Sequence, residues 1–243
     1  MRVTGPMEQF EIKKLVPLEL NGYDIAFTNS SLCMVLSALS VVVIFAFCLR
    51  KRTLVPTMAQ TIPESIYEFI RSMVVDNVGK EGMKYFSFIF SLFLFIAAGN
   101  LLGLFPYSFT FTSHIAAVGT LAIMGLLMNI YVGIKTKKWG YLHTFLPQGV
   151  PLLMAPLIAP IEMISLISKP FSLTVRLVAN MTVGHIILKS IAGFIVTMGL
   201  FGGELPLAFA GMIIIFEIFV GILQAYIYTI LSCIYLSDAI HSH

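Results

Sequence analysis

A chain of 243 residues that is 58% hydrophobic and 11% charged has too few ionic side chains to cover a soluble globule, where about 25% is usual. Its formal net charge of +3 is small and its apolar runs are long, which excludes nucleic-acid binding as its purpose. Cys33, Cys48 and Cys233 all lie in apolar runs, the pattern of reduced packing cysteines, not of a disulfide framework.

Residues 1–30 carry Glu8, Glu11, Lys13, Lys14, Glu19 and Asp24 and no apolar core, so no cleavable signal peptide is expected and the first span directs insertion. Residues 31–49 are uncharged and long enough to cross a bilayer. They end at Arg50-Lys51-Arg52, which marks the inner side and leaves the N-terminus outside. Thr61-Ile62-Pro63-Glu64 reads as a capped helix start. Ile62, Ile66, Phe69, Ile70, Met73 and Val74 then follow helical spacing beside Glu64, Glu68, Arg71 and Asp76. The segment 61–78 is therefore expected to be an amphipathic helix along the inner interface, with a small soluble hairpin as the alternative.

Between Tyr85 and Ile134 there is no Asp, Glu, Lys or Arg. Phe105-Pro106-Tyr107-Ser108 divides this run into two predicted spans, 85–104 and 115–134, and the second ends at the basic Lys135-Thr136-Lys137-Lys138. Gly99 and Gly103 form a small-xxx-small pair suited to close helix packing. The rest reads as two unusually long helices, 146–200 and 207–237, turning at Gly202-Gly203-Glu204-Leu205-Pro206. The expected fold is an all-α polytopic membrane protein in one domain: an outer N-terminal segment, three or more spans, an interfacial amphipathic helix and a long tilted C-terminal hairpin. The closing His241-Ser242-His243 reads as a solvated tail, not a metal site.

The long hairpin carries the polar residues. Arg176 stands in Pro170-Phe171-Ser172-Leu173-Thr174-Val175-Arg176-Leu177-Val178-Ala179-Asn180. A guanidinium cannot neutralise itself, and at mid-membrane its cost is about 2.5 to over 10 kcal/mol. Lys169 and Lys189, the nearest charges, are both cationic, so the anion Arg176 needs is expected from another subunit. Glu162, Lys169 and Arg176 are heptad-spaced and fall within about 40° on an uninterrupted helix, unless Pro170 bends it. Asn180 lies one turn beyond Arg176, and His185 on the opposite face. Glu217 and Gln224 share a face of the last helix, isolated among apolar residues. Counting from the turn places His185 and Glu217 opposite each other, and Arg176 and Gln224 both deeper. Each has a plainer reading: His185 bonding a backbone carbonyl, Glu217, Gln224 and Asn180 as interhelical hydrogen-bonding groups, Lys169 and Lys189 snorkelling, Asn100 packing. Together they read as a proton path, because His and Glu exchange protons whereas the fixed cation of Arg176 can hold a carboxylate and block a leak.

The ordered set Glu162-x6-Lys169-Pro170-x5-Arg176-Leu177-x2-Asn180-Met181-x2-Gly184-His185, then Glu217-x6-Gln224-Ala225, resembles subunit a of F-type ATP synthases. The similarity extends through Asn100-Leu101-Leu102-Gly103-Leu104-Phe105-Pro106. The resemblance implies a proton-translocating stator subunit, not catalytic alone, in a bacterial plasma membrane or mitochondrial inner membrane. Its partners would be the rotor ring of c subunits, the peripheral-stalk b subunits, the other synthase subunits and lipid, with protons as the transported ion and no cofactor. By the same resemblance Arg176 faces the ring carboxylates, and His185 and Glu217 line the outer half-channel. Asn180 and Gln224 stand beside the Arg, Glu162 belongs to the inner route, and Lys169 and Asn100 are supporting. Many bacterial members carry an acid where His185 stands and a His where Glu217 stands. The swapped order resembles mitochondrial members and their bacterial relatives, and it preserves a His–carboxylate pair.

Two other readings compete. A self-contained secondary transporter would use Arg176 to bind an anionic substrate and would transport alone. A structural scaffold would use the polar residues only to join helices, so conservative replacements would reduce assembly and spare conduction.

Overall fold

The computed structural model describes residues 14–17, 19–20, 23–24, 26–50, 57–105, 109–137 and 155–241. The first of these form short strand pairs that the sequence reading did not anticipate. β1 (Lys14–Val16) pairs antiparallel with β4 (Phe27–Thr28), and β2 (Glu19–Leu20) with β3 (Tyr23–Asp24), in the register Glu19↔Asp24 and Leu20↔Tyr23. The intervening dipeptide in the sequence is Asn21-Gly22, the strongest short hairpin signal; short strands and few apolar residues hide such a ladder from a search for spans.

The remaining described elements are helical, so the all-α polytopic class holds for the membrane part. α1 (Asn29–Cys48) begins where the Thr28 hydroxyl accepts the Ser31 N–H at 3.4 Å, an N-cap that satisfies one orphan donor. Inside α1, Ser37 and Ser40 each donate to a carbonyl on the preceding turn, at 2.8 Å, which removes bare hydroxyls from an apolar surround. α2 spans Met58–Val78 with its N-cap at Thr57, four residues before the Thr61 cap predicted. Thr57 is the boundary residue: its carbonyl accepts the Gln60 and Thr61 N–H groups at 2.9 Å each, and the Thr61 hydroxyl bonds the same oxygen at 3.0 Å. Pro63 therefore lies inside the helix and forfeits one backbone bond, since its missing N–H would have met Ala59.

A 3₁₀ turn (Lys80–Tyr85) leads into α3 (Phe86–Gly103), and a second (Phe111–Ser113) precedes α4 (Ile115–Lys137). α5 (Ala155–Gly202) and α6 (Glu204–His241) are 48 and 38 residues long. At 1.5 Å per residue that is about 70 and 55 Å, well beyond the roughly 30 Å of a hydrocarbon core. Residues 146–154, the expected start of the first long helix, lie outside the described residues, as do the Lys51-Arg52 and Pro106–Ser108 positions. Pro160 and Pro170 sit inside α5; its backbone departs from helical geometry at Gly199 instead, with φ 67° and ψ −162°. That conformation is nearly exclusive to glycine; it adds a kink at Gly199 just ahead of the boundary at Gly203 between α5 and α6, where the Gly202-Gly203 turn was expected. Among the described residues, five helical stretches are long and apolar enough to cross a membrane: Asn29–Cys48, Lys80–Gly103, Ile115–Thr136, Ile164–Gly199 and Glu204–Ile240.

The chain forms two compact units. One comprises Met1–Ile44, Leu94–Val118 and Arg176–Ala225; the other comprises Phe45–Phe93, Gly119–Val175 and Tyr226–His243.

In the first unit the end of α3 is shaped by two glycines. A β-carbon at Gly99 would come within 2.7 Å of the Phe111 ring, and one at Gly103 within 2.8 Å of the Thr110 hydroxyl. The small-xxx-small pair thus admits the 3₁₀ turn that follows its own helix, and Phe111 and Thr112 are fully buried there.

In the second unit α2 buries Pro63, Ile70, Met73, Val74 and Val78. Ile62 and Phe69, assigned to the same apolar face by spacing, remain 61% and 48% exposed. Tyr67 meets Phe86 edge-on at 4.9 Å, Phe86 stacks on Phe90 at 5.4 Å, and Phe69 tilts against Tyr226 at 5.8 Å.

Candidate functional site

The first unit has inverted polarity along α6. Met212, Ile215, Phe216 and Phe219 are exposed, while Glu217 (4% exposed) and Gln224 (7%) are buried. Polar groups inside and apolar groups outside is the arrangement a lipid solvent requires of a functional intramembrane residue. The Glu217 carboxyl packs on the backbone of Gly184 in α5. Among the described residues neither of its oxygens has a hydrogen-bond partner. The expected opposition of His185 and Glu217 thus takes the form of a carboxyl resting on the residue before His185.

His185 is half-buried on α5. Its Nε2 is 2.9 Å from the Thr110 hydroxyl, which in turn donates to the Gly103 carbonyl at 3.2 Å. Ser113 donates to the Thr110 carbonyl at 2.6 Å, tying the turn to itself. Thr110 escaped the sequence reading because an uncharged residue in a connecting segment has no periodicity to reveal it. The available signal was three hydroxyls, Thr110, Thr112 and Ser113, in a segment without charges.

Asn100, read from sequence as either a packing or a supporting residue, is fully buried and donates from Nδ2 to the Gly221 carbonyl at 2.8 Å, while its Oδ1 has no partner among the described residues. Gly221 permits this approach: a β-carbon there would lie 3.2 Å from Asn100 Cβ and 3.6 Å from Met181 Cε. The contacts Gly184–Glu217 and Met181–Gly221 are both centred near residues 200–201, between the kink at Gly199 and the boundary at Gly203.

Arg176 is exposed, in a stripe with Ala179, Val183 and Ile187, and among the described residues it forms no ion pair. Asn180 is half-buried one turn beyond. The structure therefore brings Asn100, His185 and Glu217 into one packed region of this unit and leaves Arg176 on its surface.

The second unit holds Lys169 and Glu162. The Lys169 ammonium lies over the Tyr235 ring at 5.0 Å, a cation–π contact that stabilises the charge without an anion. Both residues line a cavity of about 80 Å³ with Asn129, Tyr228, Ser232 and Asp238. Glu162 is on α5, and its side chain lies outside the described residues.

Known proteins resemble this chain closely. Residues 31–237 match the family described as ATP synthase A chain. The chain is 50% identical over 239 residues to the ATP synthase subunit a of Rhodospirillum rubrum, covering 98% of this chain and 99% of that protein. It is 49% identical over 247 residues to the subunit of the same name in Paramagnetospirillum magneticum (99% and 100% covered), and 46% over 242 residues to that of Mesorhizobium japonicum (97% and 96%).

Proposed function

The chain belongs to the ATP synthase A chain family, and from that premise we propose that Arg176, His185, Glu217, Asn180, Gln224 and Glu162 carry its proton-translocating work. The protein is a multi-pass, proton-translocating stator subunit of an F-type ATP synthase, a component of the complex in the energy-coupling membrane. The finer reading concerns which residues act and on what. A proton from the outer side reaches a carboxylate of the c-subunit ring by way of His185 and Glu217. Rotation carries the neutralised site through lipid, and it releases its proton near Arg176 into an inner route that includes Glu162. Asn180 and Gln224 flank the Arg, Lys169 and Asn100 support the two routes, and b subunits hold the stator. The chain is not catalytic alone; the ATP chemistry belongs to partner subunits.

The observation that carries this reading is the contrast within one packed unit. A carboxyl is buried and an imidazole half-buried, whereas a guanidinium that cannot titrate is exposed with no anion of its own chain among the described residues. An exposed, unpaired cation on a membrane helix requires a partner, and a passing carboxylate meets that need in turn at each site. The test is ATP synthesis and ATP-driven proton pumping by vesicles carrying Arg176→Ala, with assembly checked by co-purification of the ring. Lost coupling in an assembled complex supports the assignment; wild-type coupling removes it.

A further inference from the structure

Thr110 stands between a ring nitrogen and a helix end, and its chemistry restricts what both can do. Gly103 is the last residue of α3, where carbonyls lack intrahelical donors. A carbonyl only accepts, so the 3.2 Å contact from Thr110 Oγ1 uses the one proton that a threonine hydroxyl has. The same oxygen lies 2.9 Å from His185 Nε2. With its proton committed to Gly103, the hydroxyl can only accept from the ring. The arrangement that satisfies both contacts is Nε2–H donating to Oγ1, and O–H donating to the Gly103 carbonyl.

We propose that Thr110 is a positioning residue that fixes His185 in the Nε2–H tautomer, so that Nδ1 is the ring atom that takes up and gives back the proton. The inference rests on the reading of His185 as a proton carrier and adds to it the atom at which exchange occurs. In the neutral ring the lone pair is on Nδ1. A proton arriving there gives an imidazolium whose Nε2–H bond to Thr110 is unchanged, and its departure from Nδ1 restores the starting state. No bond at Nε2 breaks in the cycle.

Three features hold the relay rigid. Thr110 is 4% exposed; its carbonyl accepts the Ser113 hydroxyl at 2.6 Å; and the bare α-carbon of Gly103 lets it approach, since a β-carbon there would meet Thr110 Cγ2 at 2.6 Å. A hydroxyl this constrained sets ring orientation as well as tautomer, the role that an outer partner plays for a working histidine.

The experiment uses the complete synthase complex in vesicles, ¹⁵N-labelled on histidine, with the His185 signal assigned by its loss in His185→Gln. The wild-type ring is expected to show a protonated Nε2 and an unprotonated Nδ1 in its neutral state; the opposite tautomer overturns the proposal without recourse to any Thr110 variant. Thr110→Val, which keeps the volume and removes the hydroxyl, is expected to give a mixture of tautomers and to slow proton conduction on the order of tenfold, the effect of losing one buried hydrogen bond. Thr110→Ser is expected to restore both. Conduction and tautomer unchanged in Thr110→Val, or reduced ring co-purification with the tautomer intact, sinks the idea. Wild-type conduction by His185→Gln would instead remove His185 as a carrier, a separate failure that leaves the measured tautomer to decide the role of Thr110.

Discussion

Glu217 reaches across the hairpin to Gly184, so that its carboxyl lies on the backbone of the residue preceding His185. The absence of a side chain at 184 is what admits it: a β-carbon there would come within 2.7 Å of Glu217 Cδ.

Gly184→Ala is therefore expected to displace the carboxyl while sparing the helix, because the group in the way is the far end of a flexible side chain. Overpacking of this kind costs about 1–3 kcal/mol. ATP-driven pumping should fall while the ring still co-purifies. Unchanged pumping would show that the position of the Glu217 carboxyl does not matter to transport.

Asn100→Ala removes the buried bond to the Gly221 carbonyl at 2.8 Å. Hydrogen bonds between membrane helices average about 0.6 kcal/mol, with a maximum near 1.7. A loss of that size is expected in the resistance of the purified complex to detergent unfolding. Asn100→Leu should be worse than Asn100→Ala, since Gly221 leaves little room beside residue 100. The reverse order would indicate that packing at Asn100 is loose.

Gly199→Ala tests the kink in α5. At φ 67° and ψ −162° a side chain costs about 1–3 kcal/mol, so the thermal stability of the complex should drop. Gly193→Ala is the control: it sits in regular helix with open space around it, and alanine there is expected to be neutral or to stabilise by about 0.5–1 kcal/mol. Equal behaviour of the two variants would contradict a glycine-specific backbone at 199.

His114 offers a prediction for pH. It precedes α4, its ring stacks on Phe109 at 4.8 Å, and among the described residues its buried Nε2 has no partner. Burial lowers its pKa from the ordinary 6.5, so the folded state favours the neutral ring while the unfolded state binds the proton more readily. Its stability contribution is present above about 6.5 and lost as pH falls towards the lowered value. His114→Asn should flatten the acid side of the stability profile; an unaltered profile would assign the acid sensitivity elsewhere.

What could be read from the sequence of this protein is what a bilayer imposes residue by residue. A hydrocarbon core tolerates few charges, so uncharged runs gave the apolar helices long enough to cross it, and Arg176, Glu217 and Gln224 stood out as exceptions to their surroundings. The heptad pair Glu217 and Gln224 does share a buried face, because helical periodicity is local. The tertiary structure decided everything that depends on contact between segments far apart in the chain. Gly99 and Gly103 receive a 3₁₀ turn, Asn100 bonds Gly221, and Thr110 is brought from a connecting segment to the ring of His185. The kink at Gly199, three residues ahead of the turn expected at Gly202-Gly203, is likewise a matter of backbone conformation that composition does not reveal. Such choices rest on shape complementarity and on which unpaired backbone group needs a donor, and neither leaves a period in the sequence.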